Sequence, residues 1–338
     1  MLNIDALKAN NNLFIHNNFH LSNCDSNANY NFIKDKNKFC NFSEQIKNNP
    51  SINSYIYLFD FLSVDELLQM FPFILNNIDT IISNSQSFLL IDKIISLLTL
   101  DSCNKYKDPK ININENIYYF LMSFFNKRII SLIHSNNYIS SIINLVIKLG
   151  YPKNDFIYNE IKNEFVVYAY NRQGCILIQN LFPLGNEIQQ RILFNLIMEQ
   201  YNELIVDKYG HYLFKYLLYK EVNEEKYYNH IFEKIINNVK RYTNNKYSSV
   251  VIERLLDTSN SNIRDKIIER ICGNENDIVE LLYHCYGNYV LQKIIKVTKD
   301  HSILGMIYKT IMKNKNSLYK LSYGKKIMKE ISSAYTLK

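Results

Sequence analysis

Three residues in the stretch YHCYGNYVLQKII have types and spacing that could do chemistry: Asn288, Tyr289 and Gln292. On a helix, side chains four positions apart lie one above the other. Asn288 and Gln292 therefore share a face, and Tyr289 sits roughly 100° around the axis beside them. Two amides offer donors and acceptors in a plane, and a phenol ring offers a flat surface. An unpaired nucleobase has the complementary needs, a hydrogen-bonding edge and a stacking face. Val290, Leu291, Ile294 and Ile295 fall on another side as an apolar stripe to be buried. This is the chemistry of recognition. The motifs G-x-x-x-x-G-K-[ST], H-E-x-x-H and G-x-S-x-G, which would point to phosphate transfer, metalloprotease or acyl-transfer chemistry, do not occur in the chain.

The elements that must position such a triplet repeat along the chain. QGCILIQNLF from Gln173, YGHYLFKYLL from Tyr209, YSSVVIERLL from Tyr247, YGNYVLQKII from Tyr286 and YGKKIMKEI from Tyr323 share a small second residue. Those residues, Gly174, Gly210, Ser248, Gly287 and Gly324, are 36, 38, 39 and 37 residues apart. Upstream, YISSIINLVI from Tyr138 and QSFLLIDKII from Gln86 place Ile139 and Ser87 in the small position. The polar, proline-containing stretch 100–116 lies between them. INSYIYLFDFL from Ile52 is a further copy, 35 residues before Ser87. Second helical patterns run between the copies, such as Ile188, Ile192, Leu193 and Leu196, or Ile263, Ile267, Ile268 and Ile271. Asn186 and Asn262 are their candidate N-caps. Each unit reads as a helical hairpin that cannot bury its apolar face alone, and stacking the hairpins makes a continuous core. The expected fold is all-α, an α-solenoid whose second helices lie side by side. Each unit then adds the first, second and fifth residues of a five-residue window to one row.

In the neighbouring windows these places hold Ser249, Val250 and Glu253; His211, Tyr212 and Lys215; Cys175, Ile176 and Gln179; and Ser140, Ser141 and Asn144. The windows resemble the repeats of the Pumilio (PUF) family of RNA-binding proteins, strongly from Gln173 onward and over most of the chain from Ile52. The resemblance implies a right-handed, crescent-shaped solenoid that holds single-stranded RNA on its concave side, one base per repeat, with the RNA antiparallel to the repeats. It implies uracil at Asn288, Tyr289 and Gln292, guanine at Ser249 and Glu253, and adenine at Cys175 and Gln179. At His211, Tyr212 and Lys215 it implies uracil with the stacking ring kept and both edge contacts changed. Together these give a UGUA or UGUR-like element. Ile176 and Val250 stand where the family often has Arg or Asn, so cation–π stacking is lost there. The Ser140 triplet is polar without a base assignment. Phe88, Leu89 and Asp92, and Asn53, Ser54 and Tyr57, are poor base readers. YGKKIMKEI resembles the family's C-terminal capping half-repeat, beginning near residue 315, and its Lys325, Lys326 and Lys329 are either phosphate contacts or a solvated face. Residues 43–338 form the expected repeat domain. Residues 1–42 form an N-terminal segment that is a degenerate repeat, a cap or a flexible arm.

The totals fit this organisation. Apolar residues make up 47% of the 338, enough to fill a core, and eight Gly and five Pro favour helices over a turn-rich β-sandwich. A net charge of +7 suits an anionic partner. The six cysteines show neither C-x-x-C nor zinc-finger spacing, which argues against a structural zinc or a disulfide framework and for a reducing compartment. With no run of eighteen apolar residues and no signal-like N-terminus, the expectation is a soluble, cytoplasmic monomer without cofactor, enzymatic activity or membrane contact. The resemblance implies binding to mRNA 3′ untranslated regions and repression of translation or promotion of decay, with the convex face left for repressor or deadenylase-complex proteins. Two rivals carry different expectations. A nucleolar Pumilio-like ribosome-biogenesis factor would lack clean triplets. A HEAT- or armadillo-like scaffold would have a period of about 40–47 residues and no repeated triplet.

Overall fold

The computed structural model describes residues 64–76, 78–83, 87–97, 113–135, 138–219 and 225–336. The Ile52 copy, the N-terminal segment and most of the 100–116 insertion lie outside them. Among the described residues there are helices and turns and no strand. They fall into two compact units, one up to Phe125 together with 135–141, the other 126–134 and 142 onward.

The first unit contains α1 (Val64–Asn76), α2 (Ile78–Ile82), α3 (Ser87–Leu97) and α4 (Ile113–Phe125). Its core is aromatic at one end: Phe71 stacks on Phe120 with ring centres 4.2 Å apart, and Tyr138 packs against Phe124 and Phe125. The Tyr138 hydroxyl donates to Ser87 Oγ at 3.0 Å.

From α5 (Ile129–Ser135) and α6 (Tyr138–Leu149) onward each repeat contributes three helices where the sequence reading had two. After α7 (Asp155–Asn163) come α8 (Phe165–Ala169), α9 (Arg172–Leu181) and α10 (Glu187–Glu199), then α11 (Tyr201–Leu204), α12 (His211–Leu217) and α13 (Glu225–Ile236). There follow α14 (Val239–Thr243), α15 (Ser248–Thr258) and α16 (Ser261–Ile271), then α17 (Glu275–Tyr283), α18 (Gly287–Val297) and α19 (His301–Lys313), and last α20 (Lys315–Leu318) and α21 (Gly324–Thr336). The additional helix is the one that precedes each window. In α8, α11, α14 and α20 it has four or five residues, barely one turn and too short to carry a periodic signature. The window helices α9, α12, α15, α18 and α21 pack each on the next, so the second unit is a helical solenoid with the windows in one row.

What places α9, α12, α15 and α21 is a close approach at the start of the helix. The residue six before the small position, Tyr168, Leu204, Tyr242, Leu281 or Leu318, is buried at the end of the short helix. A Cβ on Gly174 or Gly324 would collide with the carbonyl of Tyr168 or Leu318, and one on Gly210 would lie 2.7 Å from the Leu204 oxygen. Ser248 tolerates the crowding because its Oγ donates to the Tyr242 carbonyl at 2.7 Å. Three residues before the small position a side chain caps the turn. Asn171, Asp207 and Asn245 each accept through Oδ1 from two successive backbone N–H groups, and His284 does so through Nδ1 at 3.2 and 3.1 Å. Residue types alone assign none of these four a capping role, although one of them stands three places before each of Gly174, Gly210, Ser248 and Gly287.

The long helices begin on caps as well. Asn186 forms a reciprocal capping box with Gln189, as its position suggested. The cap of α16 is Asn260, whose Oδ1 accepts from Ile263 N at 3.0 Å, and Asn262 lies inside the helix. Side chains one repeat apart tie neighbours together, such as Lys293 to Asp257 at 2.9 Å and Asn244 to Glu280 at 2.5 Å. Such exposed pairs contribute at most about 1 kcal/mol each. The stack is held mainly by buried faces, Val290, Leu291, Ile294 and Ile295 among them.

His284→Asn, which installs the cap used at residues 171 and 245, should leave the urea unfolding midpoint unchanged, whereas His284→Leu should cost about 1 kcal/mol. Gly174→Ala should cost about 1–3 kcal/mol by forcing apart α8 and α9. A silent Gly174→Ala variant would refute the close-approach account.

Candidate functional site

The row of windows begins with the first place, held by Cys175, His211, Ser249 and Asn288 on α9, α12, α15 and α18. All four are buried, Asn288 completely. Each sends its donor back to a carbonyl of the turn that precedes its own helix. Cys175 Sγ donates to Ala169 O at 3.0 Å, and Ser249 Oγ lies 3.5 Å from Lys246 O. His211 Nδ1 is 2.9 Å from Asp207 O. A carbonyl can only accept, so that nitrogen carries the proton and Nε2 is left with its lone pair. Asn288 Nδ2 donates to His284 O and Cys285 O, both at 2.9 Å. The sequence reading had these side chains standing free on a polar face. With their donors spent, the groups that remain are acceptors: the Ser249 hydroxyl lone pairs, His211 Nε2 and the Asn288 amide oxygen.

At the fifth place Gln292 donates to Asn288 Oδ1 at 3.0 Å. The two amides are one fixed unit, with the second Gln292 N–H and its Oε1 left over. Gln179, Lys215 and Glu253 are half-buried at the same place in their own helices. Burial pushes the Glu253 carboxyl above its usual range, against the pull of Lys293, Lys326 and Lys215. Burial also lowers the pKa of His211, with Lys215 adding to the effect, which keeps the ring neutral. The Cys175 thiol is pushed up to about 12 by burial, so it acts as a small packed residue with little nucleophilic character.

The second place is the open one. Tyr289 and Tyr212 expose 48% and 47% of their surface, enough to present a ring face, while Ile176 and Val250 are half-buried. The two tyrosines thus alternate along the row with two apolar side chains.

One window moves. In α9, α12, α15 and α18 the third, fourth, seventh and eighth residues after the small position are buried, and in α6 that pattern is met by Ser141, Ile142, Leu145 and Val146. The small position there is Tyr138, not Ile139. Ser141 faces the core with its hydroxyl unpartnered, and Asn144 leaves the fifth place. The places of this window fall to Ile139, Ser140 and Ile143, an almost apolar set. The Ser87 window keeps its register, with Leu90, Ile91, Ile94 and Ile95 buried. Among the described residues no His, Cys, Asp or Glu group could hold a metal ion, and no helix is long and apolar enough to cross a membrane.

Comparison with known proteins points the same way. A model of the Pumilio-family RNA binding repeat matches residues 165–198, 239–272 and 277–303, each covering a window or the helices beside one. Pumilio homology domain family member 4 of Saccharomyces cerevisiae is 30% identical over 168 residues, which span 47% of this chain and 18% of that protein. Pumilio homolog 12 of Arabidopsis thaliana is 26% identical over 178 residues, 53% of this chain and 29% of its own length. The chain thus spans less than a third of the curated relatives it matches. Among solved structures, a Puf4 mutant bound to a Cox17 RNA 3′ UTR recognition sequence superposes with a TM-score of 0.70 at 19% identity, covering 90% of this chain and 98% of that one. The RNA-binding domain of yeast Puf5p bound to SMX2 RNA gives 0.66 at 20% identity over 89% of this chain and 88% of its own. At these identities the likeness is one of fold.

Asn288→Ala would strand two turn carbonyls and the Gln292 amide, so it should cost about 1–3 kcal/mol in urea unfolding. A solvated asparagine would change stability by a few tenths at most.

Proposed function

Because the chain carries Pumilio-family RNA-binding repeats, we propose that it binds single-stranded RNA sequence-specifically, one base per window helix and without catalysis. The observation that carries this reading is the row itself. In four successive helices an edge-directed pair, at the first and fifth places, flanks a side chain that can cover a base face.

The chemistry of each window suggests its base. At α18, Asn288 Oδ1 and the remaining Gln292 groups supply the acceptor and donor that uracil N3–H and a uracil carbonyl need. At α15, the Glu253 carboxylate accepts from guanine N1–H and N2–H, and Ser249 leaves room for the purine. At α12, His211 Nε2 accepts from N3–H while Lys215 donates to a carbonyl oxygen, an alternative way to hold uracil under Tyr212. At α9, Gln179 can pair with adenine through both amide groups, with Cys175 as a small neighbour. With the RNA antiparallel to the repeats, the site reads UGUA from its 5′ end. The apolar window of α6 supplies cover without edge contacts, so the next base is read loosely. Elements of this kind in mRNA 3′ untranslated regions, with translational repression or decay as the outcome, complete the reading. It carries with it a cytoplasmic location, a monomeric repeat domain over 43–338, and protein partners on the surface away from the RNA.

In-vitro selection from random RNA should enrich UGUA or UGUR, with no preference at the following base. Failure to enrich any motif would leave a protein scaffold as the better reading. Ser249→Asn combined with Glu253→Gln should move the second base from G toward U, and an unmoved preference would place the register elsewhere. Glu253 must be ionised to accept from guanine, and its pKa is raised by burial. Affinity for the G-containing RNA should therefore be full above that raised pKa and fall as pH drops through it. Titrated by fluorescence anisotropy, Glu253→Gln should flatten this dependence.

A further inference from the structure

We propose that α21 is a phosphate clamp: Lys325, Lys326 and Lys329 hold the RNA backbone where it continues outward past the base at α18. This rests on the RNA-binding reading above.

The three lysines stand 37 residues after Asn288, Tyr289 and Gln292, at the first, second and fifth places of the next window. Their helix packs directly on α18, so they prolong the row. Three ammonium groups supply donors only. They cannot accept from the N–H groups of a base edge, but as compact point charges they suit phosphate oxygens.

All three are exposed, and among the described residues none has an acidic partner. Three lysines nearby are neutralised instead: Lys293 pairs with Asp257, Lys296 with Glu330 at 3.0 Å, and Lys313 with Glu275 at 2.7 Å. Like charges three and four apart on one helix repel one another, and an anion would relieve that repulsion. Lys326 also reaches along the row. Its Nζ lies 6.0 Å from the centre of the Tyr289 ring, and its charge is felt at Glu253, one window further in. The cations are thus directed at the end of the path assigned to RNA.

The test compares a UGUA-containing core RNA with the same RNA lengthened by three nucleotides at its 5′ or its 3′ end. Wild-type protein should gain severalfold in affinity from the 5′ extension, and the gain should vanish when the added linkages are uncharged methylphosphonates. Lys325→Gln/Lys326→Gln/Lys329→Gln should lose the extension gain and weaken the extended RNA far more than the core RNA. Its plot of log affinity against log salt on the extended RNA should be shallower by about 2, at about 0.7 per phosphate contact. A gain that survives the triple substitution, or equal weakening on core and extended RNA, overturns the clamp. The same dependence at the 3′ end supports the clamp while reversing the assigned RNA direction. If wild-type protein binds neither RNA, the RNA-binding reading fails and the clamp with it.

Discussion

The structure turns on one close approach. The first turn of α9, α12, α15 and α21 comes against a carbonyl near the end of the short helix before it, at a residue that is Gly or Ser. That contact fixes where the window helix begins. There the crowding is met by Gly, or by a Ser that donates to the carbonyl, and before α9, α12, α15 and α18 the amides of the tight turn are gathered by a cap three residues earlier. Recurring along the second unit, it places these window helices, and the apolar faces then stack the repeats.

A consequence falls on the polar row. Because backbone carbonyls lie under the first place in α9, α12, α15 and α18, the donors there are drawn to them. Cys175, His211, Ser249 and Asn288 differ in chemistry yet all make this inward bond. Burying four such groups would be costly if their donors were unpaired, and bonding them to the turn removes that cost. It also holds the remaining acceptors in fixed directions. A partner that meets fixed groups loses less side-chain entropy than one that must order them. The fifth places supply variety on this common base: an amide locked to its neighbour at Gln292, a carboxylate raised by burial at Glu253, an ammonium at Lys215.

Charge divides the row further. Burial and the Asp257 charge raise the Glu253 pKa, while Lys293, Lys326 and Lys215 pull it down. In the RNA complex proposed above, the lysines would supply general attraction to phosphate and the carboxylate would restrict which base sits beside it. On that reading affinity and selectivity would come from different residues, and salt should screen the first more than the second.

The sequence by itself determined the repeat period, the buried stripe and the windows at Cys175, His211, Ser249 and Asn288. Each follows from local regularity: apolar spacing of three and four, and a small residue at a fixed offset. The caps at Asn171, Asp207, Asn245 and His284 were equally present in the sequence, three places upstream, although their differing types hid the common role. Only the tertiary structure decided which donors were already spent, because the carbonyls that take them belong to a turn whose shape no residue type announces. It also decided the α6 window. A tyrosine in the small position defeats local reading, and Tyr138 is accommodated through its ring packing on Phe124 and Phe125 and its bond to Ser87, 51 residues away. A contact at that distance is made by the fold, and no periodicity in the neighbourhood of residue 138 records it.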